Sequence, residues 1–202
     1  MGIVTFAYSR QFNNSTIQQL NNSTTMKKLS MEELNRVTAE EFKRQDKIPL
    51  AVVMDNVRSM YNVGSVFRTC DAFSVECLYL CGITATPPHK EIAKTALGAT
   101  ESVDWKHFAS TAECLRELKR DGYTLYAVEQ VDTSISLEKF EIQMPAKIAL
   151  VLGNEVFGVD DEALELCDGA LEIPQNGTKH SLNVSIAGGI AIWECFKKMM
   201  GL

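Results

Sequence analysis

Short apolar segments alternate with longer amphipathic segments along most of the chain. The short segments are rich in β-branched and other apolar residues, which is typical of buried strands, whereas the longer ones repeat apolar residues at helical spacing. The pattern predicts strands at residues 50–54, 77–81, 124–129, 148–152 and 170–173. It predicts helices at residues 63–73, 89–97, 110–120, 160–166 and 182–200.

This alternation favours an α/β fold in which helices sandwich a mostly parallel sheet. Ligands of such sheets bind beyond the carboxyl ends of the strands. We therefore expect the functional residues directly after Met54, Glu129, Leu152 and Ile173.

The N-terminal part of the chain has a different pattern. Residues 1–25 are rich in Asn, Gln, Ser and Thr, and because such a segment buries little apolar surface, we expect a disordered tail. The pattern Ser30-x-x-Glu33 is typical of a capping box and predicts an amphipathic helix that ends near Gln45. We therefore expect a helical arm at 26–48 and one catalytic-sized domain at 49–202.

Composition is that of a folded globular protein, with 202 residues of which 46% are hydrophobic and 23% are charged. No segment approaches the roughly 18 uncharged apolar residues that cross a bilayer, and the N-terminus lacks the pattern of a secretory signal. We therefore expect a cytoplasmic protein. The six cysteines lie in apolar segments without metal-ligand spacing, which indicates reduced, buried thiols and no bound metal.

The formal net charge of −6 is unusual for a protein that binds nucleic acid, because phosphate contacts are made by Lys and Arg. Residues 1–47 carry seven basic and five acidic side chains, so the excess of negative charge lies in the remainder of the chain. Any affinity for nucleic acid must therefore come from a local basic patch or from the N-terminal segment. Lys90, Lys94 and Lys106 are candidates for a basic rim, although a solvated helix face explains them better.

The first candidate site is the segment from Asn62 to Arg68, which follows a strand and a polar loop and opens a helix. We expect Asn62 to cap this helix and Gly64 to allow close approach of a backbone or a ligand. Arg68 could then contact a phosphate or a ribose. Taken alone, the segment fits an ordinary capped helix with an exposed arginine equally well.

The second candidate site is Gly153-Asn154-Glu155-x-x-Gly158, directly after the apolar strand at 148–152. Two glycines and an asparagine around a carboxylate predict a tight loop whose backbone groups can hold a polar ligand. Such residues are also common in ordinary turns, which is the better explanation of this segment alone.

The third candidate site runs from Ile173 through Ser181, Asn183 and Ser185 into the last helix. We expect Ser181 to cap that helix and Asn183 and Ser185 to lie in its first turn. The pair Gly188-Gly189 costs helix stability, about 1 kcal/mol per Gly, which indicates that a backbone or a ligand packs against it. Neither G-x-G-x-x-G nor G-x-x-x-x-G-K-[ST] occurs, so the usual dinucleotide and P-loop phosphate sites are absent.

In this order, the three segments resemble the motifs of the SpoU (TrmH-like) branch of the SPOUT RNA methyltransferases. The resemblance covers the chain from about Pro49 and rests on three motifs. These are Asn62-x-Gly64-x-x-x-Arg68, then Gly153-Asn154-Glu155-x-x-Gly158, and finally Ile173-Pro174 with Ser181-Leu182-Asn183-Val184-Ser185.

The resemblance implies an α/β fold with a deep C-terminal trefoil knot and a homodimer. It implies that S-adenosylmethionine is held largely by backbone groups near Glu129, Gly153, Ile173 and Leu182. It also implies that Arg68 faces the cofactor of the other subunit and activates a ribose hydroxyl. The residues implied to orient Arg68, the ribose and the knot loops are Asn62, Glu155, Ser181 and Asn183.

The activity implied is S-adenosylmethionine-dependent methylation of a ribose 2′-hydroxyl in tRNA or rRNA. The expected partners are RNA and a second copy of the chain, and neither DNA nor a membrane is expected. Two alternatives remain open at this point. One is a catalytically inactive knotted RNA-binding or assembly factor, and the other is a knotted enzyme that methylates a base.

Overall fold

The computed structural model describes residues 26–30, 33–34 and 36–202. The chain divides into two compact units, Met1–Val37 and Thr38–Leu202. In the first unit, the N–H of Ser30 donates to the Glu33 carboxylate (2.7 Å) and the N–H of Glu33 donates to the Ser30 hydroxyl (3.3 Å). These are the reciprocal bonds of the predicted capping box. The predicted tail at 1–25 lies outside the described residues.

The helix predicted from Ser30 to Gln45 is wrong in its extent. Residues 36–38 are not helical, and the regular helix α1 is Ala39–Arg44. Thr38 begins α1 with a capping box of its own, in which its hydroxyl accepts from the N–H of Glu41 and its N–H donates to the Glu41 carboxylate. A capping residue has an extended backbone, so Thr38 interrupts any helix that would run through it.

Seven parallel strands form one sheet in the described part of the second unit. The strands are β1 (Ile48–Asp55), β2 (Val75–Cys81), β3 (Trp105–Phe108), β4 (Tyr123–Val128), β5 (Ile135–Ser136), β6 (Lys147–Leu152) and β7 (Gly169–Glu172). Their order across the sheet is β3-β2-β1-β6-β4-β7-β5. The predicted parallel sheet is confirmed, and each predicted strand is present within two residues at either end.

Strands β3 and β5 were not predicted. They lie at the two edges of the sheet, where one side of a strand has no neighbour. In β3, Lys106 and His107 are exposed, and Trp105 and Phe108 are only partly buried. This short segment therefore has no recognisable apolar pattern. Strand β5 has two residues. Edge strands of this kind owe their conformation to pairing and not to their own composition.

Helices cover both faces of the sheet, as predicted. They are α2 (Met60–Ala72), α3 (Lys90–Ala96), α4 (Ala99–Ser102), α5 (Thr111–Arg120), α6 (Asp161–Leu166) and α7 (Val184–Met200). Helices α2, α3, α4 and α7 pack on the face that carries Leu50, Val52 and Met54 of β1. Helices α5 and α6 pack on the opposite face, which carries Ala51 and Val53. A central strand that is buried on both faces has a continuous apolar sequence, which explains why β1 was predicted reliably.

The carboxyl ends of β1, β6, β4 and β7 are adjacent, because these four parallel strands are neighbours in the sheet. The positions at which we expected chemistry, after Met54, Glu129, Leu152 and Ile173, therefore lie along one edge. The loops that follow β6 and β7, at residues 153–160 and 173–183, start from this edge.

Candidate active site

The loop that joins β6 to α6, residues 153–160, folds back on itself. Asn154 and Gly158 exchange backbone hydrogen bonds of 2.8 and 2.9 Å, and the side chain of Asn154 accepts two more from N–H groups within the loop. At Gly153, an added Cβ would lie 2.1 Å from the carbonyl carbon of Gly158. The tight loop predicted from these residues is confirmed. We call it the β6–α6 loop.

The end of β1 anchors the β6–α6 loop at both ends. The side-chain amide of Asn154 donates to the carbonyl of Asn56 (2.7 Å), and the N–H of Asp160 donates to the carboxylate of Asp55 (2.8 Å). Asp55 is 1% exposed, and it also accepts from the hydroxyl of Thr111 at the start of α5. Because a buried carboxylate is stable only when it is hydrogen-bonded, Asp55 ties the loop firmly to the sheet.

The carboxylate of Glu155 joins the β6–α6 loop to the start of α2. It accepts from the N–H groups of Arg58 and Ser59, both at 3.0 Å, and from the side-chain amide of Asn62 at 2.9 Å. Helix α2 has no acidic residue in its own first turn. The amino end of a helix carries free N–H groups and partial positive charge, so a carboxylate stabilises it. Glu155 provides that carboxylate from more than ninety positions away.

These contacts determine the charge state of Glu155. Partial burial raises its pKa, but the hydrogen bonds from Arg58, Ser59 and Asn62 favour the ionised form, so the pKa lies below its usual value. A carboxylate whose pKa is lower in the folded protein than in the unfolded chain stabilises the folded protein. This contribution is complete at pH values above the pKa of the unfolded chain, and it is lost as the pH falls through the lowered pKa of the folded protein. Glu155 is therefore ionised at neutral and mildly acidic pH.

Asn62 extends the connection from Glu155 to the start of α7. While its amide donates to Glu155, its carbonyl oxygen accepts from the side-chain amide of Asn183 (3.1 Å). The side-chain oxygen of Asn183 in turn accepts from the N–H groups of Ser185 and Ile186 in the first turn of α7. The structure therefore brings together three predicted catalytic residues, Glu155, Asn62 and Asn183.

Two predicted caps are wrong. Ser59, not Asn62, caps α2, and Asn62 lies within the helix, where its side chain is occupied by Glu155 and Asn183. Asn183, not Ser181, caps α7. Ser181 lies two positions before the cap, in the irregular segment that lines the cavity described next. The prediction that Ser185 lies in the first turn of α7 is confirmed.

A cavity of about 680 Å³ lies between the β6–α6 loop and the loop that joins β7 to α7. This volume is within the range of small-molecule binding sites. All four predicted cofactor-binding residues line it, namely Glu129, Gly153, Ile173 and Leu182. Three predicted catalytic residues also line it, namely Glu155, Ser181 and Asn183. Asn62 does not line the cavity but touches two residues that do.

Glu129 and Gln130, at the end of β4, connect the two loops around the cavity. The Glu129 carboxylate accepts from the N–H of Val159 (3.2 Å), and the side-chain amide of Gln130 donates to the carbonyl of His180 (2.9 Å). Gly158 has a φ of +73°, and an added Cβ there would lie 2.3 Å from the Glu129 carboxylate. The positive φ favours glycine at this position, and a larger residue would also displace the Glu129 carboxylate.

In the β7–α7 loop, residues 173–183, the carbonyls of His180 and Asn183 accept hydrogen bonds, but most other backbone groups remain available. Among the described residues, no backbone–backbone hydrogen bond involves residues 174–182. Polar backbone groups that have no protein partner must bond to water or to a ligand. This loop can therefore present N–H and C=O groups to a molecule in the cavity.

Arg68 lies outside the cavity. It is exposed, and its side chain forms no hydrogen bond or ion pair with any residue that the structure describes. It follows Asn62 by six positions on α2, which places the two side chains on different faces of the helix, and it shares its own face with Tyr61 and Ser65. A single chain therefore does not bring Arg68 to the other predicted catalytic residues.

The family model described as the SpoU rRNA Methylase family matches residues 49–193, which include every predicted site residue. The chain belongs to this family. The resemblance stated from the three motifs is therefore confirmed.

Similar proteins span most of this SpoU family chain. A tRNA (guanosine(18)-2′-O)-methyltransferase of Thermus thermophilus is 31% identical over 83% of this chain and 84% of its own length. The crystal structure of an A. aeolicus TrmH/SpoU tRNA modifying enzyme matches with a TM-score of 0.70 at 28% identity, over 81% of this chain and 84% of that one. An AdoMet-bound rRNA methyltransferase from Sinorhizobium meliloti matches with a TM-score of 0.68 at 25% identity, over 77% of this chain and 61% of that one.

The sequence of this SpoU family chain did not lead us to predict that Asp55 anchors the β6–α6 loop. Asp55 directly follows Met54, one of the strand ends at which we expected chemistry, so its position was a signal. Its partners Thr111 and Asp160 are 56 and 105 positions away, and no local pattern connects them. The backbone or ligand predicted to pack against Gly188-Gly189 is not found: an added Cβ at Gly188 would lie 2.7 Å from the side chain of Leu152, and Gly189 faces open space.

All six cysteines are free, and five of them are buried. No group of side chains within the described ranges could hold a metal ion. The described helices also include none that is both long and apolar enough to span a membrane.

We predict that Glu155→Gln destabilises the protein at pH 7. The glutamine amide has one acceptor oxygen, so it leaves one of the N–H donors near Arg58 without a partner, at a loss of about 1–2 kcal/mol. For a domain of this size, the midpoint of thermal unfolding should fall by about 3–6 °C. The difference should shrink as the pH falls through the lowered pKa of Glu155, because wild type then loses the same carboxylate.

Glu141→Gln is the matched control, because Glu141 is an exposed glutamate in an irregular segment that belongs to no helix or strand. Surface substitutions of this kind have little effect, so this variant should unfold within about 1 °C of wild type. Equal unfolding temperatures for the two variants at pH 7 would contradict the role assigned to Glu155.

Proposed function

We propose that this chain transfers a methyl group from S-adenosylmethionine to a ribose 2′-hydroxyl of tRNA or rRNA. The observation that supports this most directly is the cavity lined by Glu155 and Asn183, whose side chains Asn62 connects, in a member of the SpoU family. The names of the similar proteins include 2′-O-methylation of a tRNA guanosine and binding of AdoMet by an rRNA methyltransferase.

The cavity fits S-adenosylmethionine in size and in chemistry. Its carboxylates Glu129, Glu155, Asp161 and Glu172 suit a positively charged sulfur, and its apolar side chains and free loop backbone suit an adenosine. Glu129, Gly153, Ile173 and Leu182 are the residues that would hold it. When bound, the molecule supplies an electrophilic methyl group.

The residues of the chain must then make the ribose oxygen nucleophilic. A ribose hydroxyl is a weak nucleophile, so its proton must leave as the oxygen gains the methyl group. Arg68 supplies positive charge that stabilises the developing negative charge on this oxygen. Because a guanidinium stays protonated, we assign proton acceptance to a phosphate of the RNA and not to Arg68.

Arg68 requires a second copy of the chain for this role. Ile186, Ile190 and Trp193 recur along one side of α7, and each is more than a third exposed. Trp193 also contacts Phe73 at the end of α2, so this apolar stripe adjoins the helix that carries Arg68. An exposed apolar stripe of this kind favours association. We infer a homodimer through α7 in which Arg68 faces the cavity of the partner.

We also propose that the chain from β6 to α7 forms the trefoil knot implied by the resemblance. The β6–α6 loop is anchored to the end of β1, and after the β7–α7 loop the chain returns so that Gly188 packs on Leu152 of β6. The similarity in fold to the A. aeolicus TrmH/SpoU enzyme supports the same path.

The first test of the proposed function concerns Arg68. Arg68→Ala should lower the rate of methyl transfer to RNA at least about 100-fold, because it removes the charge that supports the developing oxyanion. Its affinity for S-adenosylmethionine, measured by calorimetry, should stay close to that of wild type, since Arg68 does not line the cavity.

Arg120→Ala is the control, because Arg120 is an exposed arginine on α5 at the other face of the sheet. It should retain wild-type turnover. Normal turnover by Arg68→Ala would refute its assignment. If wild type itself does not bind S-adenosylmethionine, the chain is the inactive RNA-binding or assembly factor.

The second prediction concerns the dimer. Ile190→Asp places a charge in the apolar stripe of α7, so sedimentation should show a monomer that binds S-adenosylmethionine but transfers methyl groups poorly. Ile135→Asp changes an isoleucine of similar exposure on the edge strand β5 and should remain dimeric. A monomeric wild type, or a dimeric Ile190→Asp variant, would contradict the proposed interface.

A further inference from the structure

Four basic side chains between β1 and α4 are exposed and not neutralised. Arg58, Arg68, Lys90 and Lys94 form no ion pair with any carboxylate in the described part of the chain. Five other basic side chains of the second unit are paired with carboxylates. These pairs are Lys106–Glu117, Arg116–Glu162, Lys119–Asp168, Lys197–Glu194 and Lys198–Glu194. A chain with a net charge of −6 therefore keeps uncompensated positive charge on α2 and α3.

Tyr61 lies among these cations. Helices α2 and α3 pack closely at Gly64, and the hydroxyl of Thr95 donates to the carbonyl of Tyr61 (2.9 Å). On the outer side of this contact, Lys94 Nζ lies 3.5 Å from Tyr61 Oη and 5.8 Å from the centre of its ring. The ring is 46% exposed.

Helical spacing extends this surface in both directions. Arg68 lies on the same side of α2 as Tyr61, two turns further along, and Lys90 lies one turn before Lys94 on α3. Arg58 precedes α2, and its N–H donates to Glu155 at the wall of the cavity. We call this surface the Tyr61–Lys94 face, and its members are Arg58, Tyr61, Arg68, Lys90 and Lys94.

The carboxylates of the same part of the chain form no ion pair with this face. The nearest hydrogen-bond partner of Asp71 is instead the hydroxyl of Ser102, and Glu76 accepts from the hydroxyl of Tyr123. Glu91 lies in the first turn of α3 and is partly buried. The face therefore combines an accessible aromatic ring with free cations, next to the cavity.

We propose that the Tyr61–Lys94 face binds a single-stranded segment of the RNA substrate, with Tyr61 stacked on a base and the cations on phosphates. The proposal rests on the proposed function, since it identifies how that substrate is held. Proteins bind unpaired RNA through aromatic rings that stack on bases and through cations that follow the backbone. In the proposed homodimer Arg68 faces the cavity of the partner, so RNA held on this face lies beside the site of methylation in the partner subunit.

The test measures binding of the full chain to a fluorescent single-stranded RNA of about 20 nucleotides and mixed sequence, by anisotropy at several salt concentrations. Tyr61→Ala should weaken binding about fivefold or more and leave its salt dependence unchanged, because stacking is not electrostatic. Tyr61→Phe keeps the ring and should bind as wild type does. Lys94→Ala should reduce the slope of log affinity against log salt by about 0.7, the value for one phosphate contact.

Lys147→Ala is the matched control. Lys147 is also an exposed lysine beside a tyrosine, 5.2 Å from the ring of Tyr123, but it lies at the amino end of β6, away from the cavity. It should leave both affinity and salt slope unchanged. The proposal is overturned if Tyr61→Ala binds normally, if Tyr61→Phe binds as weakly as Tyr61→Ala, or if Lys147→Ala reduces the slope as Lys94→Ala does.

Two further measurements separate this proposal from the proposed function. If wild type methylates RNA and Tyr61→Ala does so with unchanged affinity, the face is wrong and the function stands. If wild type methylates no RNA but Tyr61→Ala loses RNA binding, the function is wrong and the face stands. If Tyr61→Ala instead becomes monomeric in sedimentation at unchanged RNA affinity, the face is a protein interface and the proposal is overturned.

Discussion

Glu155 supplies the negative charge that the amino end of α2 lacks in its own first turn. The carboxylate comes from the β6–α6 loop. Its interaction with the positively charged amino end of α2 therefore joins two distant parts of the chain. The same contact orients the amide of Asn62, whose oxygen then accepts from Asn183 at the start of α7. The wall of the cavity and both helices next to it therefore depend on one carboxylate.

The distribution of charge resolves the conflict between an acidic chain and an RNA substrate. Carboxylates pair with Arg116 and Lys119 on α5 and with Lys197 and Lys198 on α7, whereas the cations on α2 and α3 have no carboxylate partner among the described residues. Net charge describes the whole surface, but a polyanion contacts only one part of it. The acidic cavity and the basic face can therefore serve a cationic cofactor and an anionic RNA side by side.

The sequence predicted the sheet and the cavity well because both depend on continuous apolar strands and the polar residues that follow them. It placed the cap of α2 at Asn62, although Ser59 is the cap, because no local pattern shows that the side chain of Asn62 is bound by the distant Glu155. One sequence motif contains both Asn62 and Arg68, but these residues are six positions apart on α2, so their side chains lie on different faces of the helix. The anchors of Asp55 depend on residues that are distant in sequence, and the edge strand β3 depends on its pairing with β2.

Mass spectrometry of nucleosides tests the central claim most directly. Bulk tRNA and rRNA are isolated from cells that lack this protein and are incubated with the wild-type protein and S-adenosylmethionine. They are then digested with nucleases and compared with samples incubated without the protein. The account predicts a new nucleoside whose added methyl group remains with the ribose when the glycosidic bond is broken. A methyl group that remains with the base would contradict ribose methylation, and so would the absence of any new methyl group in RNA from cells that lack this protein.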